Sequence, residues 1–198
     1  MLHAVPIWWG MKHKILLTTI ATALLTFTVS PALFAADNVK TESTTATQAT
    51  ADARFMEDAT RGGLTEIQAA EIAQGKTKRD DVKAFAMSIA KDHADVNRNL
   101  KTLADRMEMK LPKDVGDHQA FIDGLKAKTD ADFDRTYVAA TVLSHQTCVA
   151  MFEKFSDATK NADLKAFADN TLPGLRTHLK HSQALLETLG GAKGTAAK

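Results

Sequence analysis

The sequence predicts an all-α protein, an up-down-up-down four-helix bundle behind a disordered N-terminal tether. Three observations carry this. Apolar residues recur every three or four positions along four long stretches. No run of β-branched residues alternates with period two, and no Asn-Gly or Asp-Gly turn joins two such runs. Two connections between the stretches are short and one is longer, which suits antiparallel neighbours, and nothing repeats at a solenoid period.

Residues 1–35 read as a leader and secretory signal peptide. Met11, Lys12, His13 and Lys14 supply a basic start, Ile15 to Val29 an apolar run, and Ser30 to Ala35 the small residues of a cleavage site. The pattern favours Met11 as the start and places cleavage after Ala35. The apolar run is short for a membrane span, and no second span follows it. Export to the periplasm or cell envelope is therefore expected, with no membrane span in the mature chain. Residues 36–50, rich in Thr, Ser, Ala and Gln without an apolar period, predict a flexible tether. The bundle domain is expected over residues 51–189, and residues 190–198 predict a flexible tail.

The first helix is expected from about Asp52 to Gln74, with Phe55, Ala59, Gly62, Glu66, Ala70 and Ala73 on one stripe. Gly75 ends it, and Thr77 is the expected N-cap of the second. The second stripe runs Val82, Phe85, Ile89, His93, Val96, Leu100, Leu103 and Met107, closed by Leu111 and Pro112. A connection from Lys113 to Thr129 holds a short helix around His118 to Lys126. The third helix, from about Asp130 to Ala158, presents Phe133, Tyr137, Thr141, His145, Cys148, Phe152 and Phe155. Asn161 or Asp163 begins the fourth, with Leu164, Phe167, Thr171, Leu175, His178, Ser182, Leu185 and Leu189 facing inward and a kink expected at Pro173.

Composition excludes several function classes. A formal charge of +1 over 198 residues offers nothing to a polyanion, and no stretch interleaves Lys and Arg with aromatics, so nucleic acid is not an expected partner. The single cysteine, Cys148, rules out an intramolecular disulfide or a Cys-x-x-Cys metal knuckle; inside an apolar stripe it reads as an inert buried thiol. Gly-x-Ser-x-Gly, His-Glu-x-x-His and phosphate-loop patterns are all missing, so no catalytic residue is expected.

Three histidines, His93, His145 and His178, stand in mid-stripe on three different helices among apolar neighbours. Counting about 1.5 Å per residue from the shared turns brings all three to within roughly a turn of one height. Neutral imidazoles meeting in a dry core leave lone pairs that need partners, and one transition-metal ion satisfies several at once. The alternative is that each is held by its own carbonyl, hydroxyl or carboxylate. Glu66 is the mid-stripe carboxylate on the remaining helix, although ideal geometry puts it roughly 9 Å above the histidine layer. Asp92 points about 100° away from His93 and is expected to pair with a neighbouring helix. His181 is expected on a solvated face, and His118 exposed in the connection.

Five separated blocks occur in order: Arg54 and Phe55; Gly62, Gly63, Leu64, Thr65 and Glu66; Phe85, Ala86, Asp92 and His93; Phe133, Asp134, Arg135, Tyr137 and His145; Pro173, Leu175, His178 and Leu179. Together they resemble a bacterial envelope family of unknown function, number 4142 in the domain-of-unknown-function series. The resemblance covers about Ala51 to Leu189 and implies a ferritin-like fold without an established reaction. Ferritin-like di-iron sites pair a Glu with the His three residues on. Here Ala90 precedes His93 and Leu175 precedes His178 at that spacing. A single zinc, copper or nickel ion on His93, His145 and His178, with Glu66 as fourth or supporting ligand, is the first expectation. A non-catalytic structural protein with an envelope protein partner is the second.

Overall fold

The structure, a computed structural model, describes residues 37–129 and 132–191. The expected signal peptide, Asp130 and Ala131, and positions 192–198 of the tail lie outside the described residues. The chain divides into two compact units, Met1–Ser43 and Thr44–Lys198. The described part of the first is the helical stretch 37–43; the second holds everything that follows.

The described residues contain five α-helices and no strand: α1 (Asp37–Lys76), α2 (Asp80–Arg106), α3 (Gln119–Ala127), α4 (Phe133–Ala158) and α5 (Ala162–Gly191). A 3-10 turn, Gly116–His118, leads into α3, which is the short helix expected in the long connection. Two boundaries differ from expectation. Helix α1 begins at Asp37, so residues 37–50 are helical and not an unordered tether. Once residues beyond Asp52 are nucleated by packing, each further turn adds hydrogen bonds at little entropic cost. Gln48 donates to Asp52 Oδ1 at 2.7 Å, and Thr159 donates to the same oxygen at 3.0 Å, which ties this stretch of α1 to the turn after α4. Likewise α5 runs on through Gly190 and Gly191, which the composition assigned to the tail.

The caps follow local chemistry. Asn161 Oδ1 accepts from the backbone N–H groups of Asp163 and Leu164 at 3.0 and 3.1 Å, opening α5. Thr77 does not cap α2, which starts three residues later; its hydroxyl accepts from Arg79 N–H, and Asp80 and Asp81 supply negative charge to the first turn. Pro173 lies inside α5 and the helix continues through it.

The apolar core is two clusters. One gathers Ala70, Phe85, Ile89, Tyr137, Val138 and Leu185 with residues of α3. The other gathers Phe55, Met56, Leu100, Phe152, Leu172 and Leu175. On every long helix the two sets occupy opposite ends of the buried stripe, and the residues between them are polar: Glu66 on α1, His93 on α2, His145 on α4 and His178 on α5, all buried.

Candidate metal centre

Each histidine reaches the interior from a different helix because it sits in phase with an apolar stripe. His93 follows Phe85 and Ile89 on α2, His145 follows Tyr137 and Thr141 on α4, and His178 precedes Ser182 and Leu185 on α5. Their ring centroids form a near-equilateral triangle with sides of 5.3, 5.4 and 5.6 Å. One ring nitrogen from each lies within 4.8 Å of the others. His93 Nε2 and His145 Nε2 are 3.3 Å apart. Two nitrogens on one tetrahedral ion, with bonds of about 2.0–2.1 Å, stand about 3.3–3.4 Å apart, so this pair already has the required spacing. A pair at the full 4.8 Å would have to close by about 1.4 Å, within reach of a small side-chain rotation.

In two of the three the second ring nitrogen is engaged. His145 Nδ1 donates to the Thr141 carbonyl at 3.0 Å, which leaves its lone pair on Nε2, facing His93. His178 Nε2 donates to Asp92 Oδ2 at 3.0 Å, which leaves its lone pair on Nδ1. That Nδ1 is sealed from solvent and has no hydrogen-bond partner. Through its bond to His178, Asp92 pairs with a neighbouring helix, α5, as expected, and on its solvent side it lies 3.6 Å from Lys91 Nζ.

Burial keeps the imidazoles neutral. It holds His93 down at about 3, with His145 and His178 pushing the same way, and holds His145 down at about 4. His178 is also lowered by burial, against the Asp92 hydrogen bond, which favours the protonated form. Neutral imidazole is the form that ligates a metal.

Glu66 is closer to the histidines than ideal geometry implied. It stands ten residues before the end of α1, and His93 stands thirteen after the start of α2, an offset of about 4–5 Å that side chains span. Its Oε1 lies 3.9 Å from His145 Nδ1 and accepts a hydrogen bond from Ser144 Oγ. That is the anchored edge of His145, so Glu66 stands beside the converging nitrogens and not among them. Burial pushes its carboxyl up to about 7, against the Ser144 hydrogen bond and the influence of His178.

The remaining polar candidates fall outside the cluster. His181 is exposed and meets the Phe85 ring edge-on at 4.8 Å. His118, expected to be exposed, is half-buried with Nδ1 2.7 Å from Thr65 Oγ1, because the 3-10 turn folds back onto α1. Burial pushes the Cys148 thiol up to about 12, with the Glu66 carboxylate adding to it, which makes it a poor nucleophile. Thr141 and Ser144 were not singled out as site residues from the sequence. The signal for Thr141 was its place one turn before His145, where a helical carbonyl meets an imidazole.

The sequence model of the domain of unknown function DUF4142 matches residues 38–185. The chain belongs to this family. No curated protein matches the sequence. Among solved structures, the crystal structure of a DUF305 fragment from Deinococcus radiodurans is similar, with a TM-score of 0.62 at 14% identity, covering 70% of this chain and 96% of the fragment. At that identity the likeness speaks for the fold alone. A DUF4142 fold with these residues does not fit a carboxylate-bridged di-iron centre: Ala90, Val142 and Leu175 stand three residues before the histidines, where paired carboxylates would be needed.

Proposed function

We propose that this DUF4142 protein binds one transition-metal ion through His93, His145 and His178 at the centre of a ferritin-like up-down-up-down four-helix bundle, and that it does so after export to the periplasm or cell envelope. The observation that carries the metal reading is the state of the ring nitrogens. One ring nitrogen from each lies within 4.8 Å of the others and His178 Nδ1 is buried without a partner, while two of the histidines hold their other N–H on a carboxylate and a backbone carbonyl. Metal-ligating histidines are held in this way, since the outer hydrogen bond sets the tautomer and raises the basicity of the ligating nitrogen. A set of neutral imidazoles suits zinc, copper or nickel. Glu66 and Asp92 supply negative charge beside the ion, Glu66 as a neighbour of the site and not as a ligand.

Export rests on the basic start, apolar run and small residues before Ala36. Among the described residues no helix is long and apolar enough to cross a membrane. Under the alternative, a structural envelope protein, each histidine is held only by its own hydrogen bonds, and the unpartnered Nδ1 of His178 weighs against it.

Elemental analysis and chelator-dependent melting of protein purified without a histidine tag test the reading. Stoichiometric zinc, copper or nickel is expected, with a melting temperature that falls when the ion is removed, because an ion bound only to the folded state stabilises it by mass action. Protein that takes up no ion on titration, and melts identically with chelator, would refute it.

A further inference from the structure

Three histidines leave a tetrahedral ion one position short, and one turn along α2 from His93 stands another polar group sealed from solvent and without a use. Asn97 lies one turn beyond His93 on the same face of α2. Both heteroatoms of its carboxamide, Oδ1 and Nδ2, are sealed from solvent and make no hydrogen bond. An amide stripped of water and left unpaired is unfavourable, so such a group is normally met by a bound partner. Gly63 on α1 makes room for it: a methyl group there would overlap Asn97 Oδ1 and lie 2.8 Å from both Cγ and Nδ2. Gly62 and Gly63 stand side by side on α1. At Gly62 a methyl group would meet nothing, so the close approach belongs to Gly63 and the Asn97 amide.

Charge points the same way. Three neutral imidazoles bring no charge of their own to a divalent ion, and the carboxylates of Glu66 and Asp92 stand outside its ligands, which favours an anionic fourth ligand. Glu66 does not supply it, because its carboxylate is engaged by Ser144 on the far edge of His145. Building on the metal reading above, we infer that Asn97 is the recognition group for a small exogenous ligand, water or hydroxide at rest and a small anion in its place, bound at the coordination position the three histidines leave open. A carboxamide both donates and accepts, so Nδ2 can donate to a metal-bound hydroxide or anion and Oδ1 can accept from a metal-bound water. Gly63 is the positioning residue, because its missing side chain leaves the room that the amide occupies against α1.

The test uses the full chain loaded with Co(II), whose visible spectrum reports coordination, and azide as the anion probe. Wild-type protein is expected to bind Co(II) and to change its spectrum on azide addition. Asn97→Leu and Gly63→Ala are each expected to keep Co(II) while weakening azide binding by about 10–100-fold, the worth of one hydrogen bond to a charged ligand. The Gly63 variant retains the amide and only displaces it, so it tests the same contact without removing a side chain from the core. Unchanged azide titrations in both variants would overturn the inference and leave the metal reading standing. Loss of Co(II) from Asn97→Leu at the ligand level would overturn it as well, by making Asn97 a ligand. Wild-type protein that takes up no Co(II) and no other transition metal removes the metal reading, and the inference with it.

Discussion

An imidazole serves as a ligand when one nitrogen is free and the other is held. In His145 and His178 the holding groups come from opposite kinds of structure, the backbone carbonyl of Thr141 one turn back on the same helix and the carboxylate of Asp92 on a different one. Their removal has different consequences. Changing His93, His145 or His178 singly to Ala is expected to abolish metal binding to a similar extent, because two remaining donors hold an ion poorly. Isothermal titration with zinc checks this, and three unrelated effects would instead fit three separate hydrogen bonds. Asp92→Ala is expected to weaken the same binding by about 10–100-fold without abolishing it, since it leaves all three nitrogens in place and removes only the group that orients His178. Asp92 is half-exposed, so water can replace it as the acceptor for His178 Nε2–H and the melting temperature without metal should stay close to wild type.

At the scale of the helices, periodicity made most of the molecule legible. The inward stripes of α2, α4 and α5 were readable because Phe85, Ile89, Leu100, Phe152 and Leu164 are large, apolar and in phase, and all are buried. Phe152 meets Phe55 and Phe167 with centroids 4.9 and 6.1 Å apart, and Phe55 stacks on Phe155. Phe152→Ala is therefore expected to destabilise the fold by about 3–5 kcal/mol in urea unfolding, the range for an emptied aromatic site in a core. The start of α1 was not legible, because Thr, Ser and Gln between residues 37 and 50 carry no apolar signal and the helix there continues from a segment that packs. The three histidines were legible for the same reason as the core: each interrupts an apolar stripe. Asn97 was not, because it stands beside Val96 on a stripe already accounted for, and what marks it out is a missing side chain on another helix at Gly63. Asp92 was legible only as a residue pointing away from His93; its partner depended on how α5 packs against α2.

For the whole molecule, a polar layer between two apolar clusters couples stability to pH, and the signs differ within it. The histidines have folded pKa values below their ordinary 6.5, at about 3 for His93 and about 4 for His145. Below about pH 6.5 the unfolded chain takes up protons that the folded chain refuses. Their contribution to stability is thus lost as pH falls from about 6.5 towards 3–4. Glu66 acts in the opposite sense. Its folded value of about 7 lies above the ordinary 4.5, so the folded state binds the extra proton between those limits. That contribution is fully present below 4.5 and is lost as pH rises through 7. On acidification from 7 to 4.5, Glu66 therefore offsets part of what the histidines lose, and below 4.5 the offset grows no further. Urea midpoints of metal-free protein measured across this range are expected to fall more gently in wild type than in Glu66→Gln between pH 7 and 4.5, and in parallel below it. Comparing the two proteins cancels carboxylates that titrate in both, among them Asp92, which burial raises but its hydrogen bond to His178 pulls below the usual range. Identical slopes from pH 7 to 4.5 would mean that Glu66 does not take up its proton in the folded state, and that the carboxylate beside His145 stays charged.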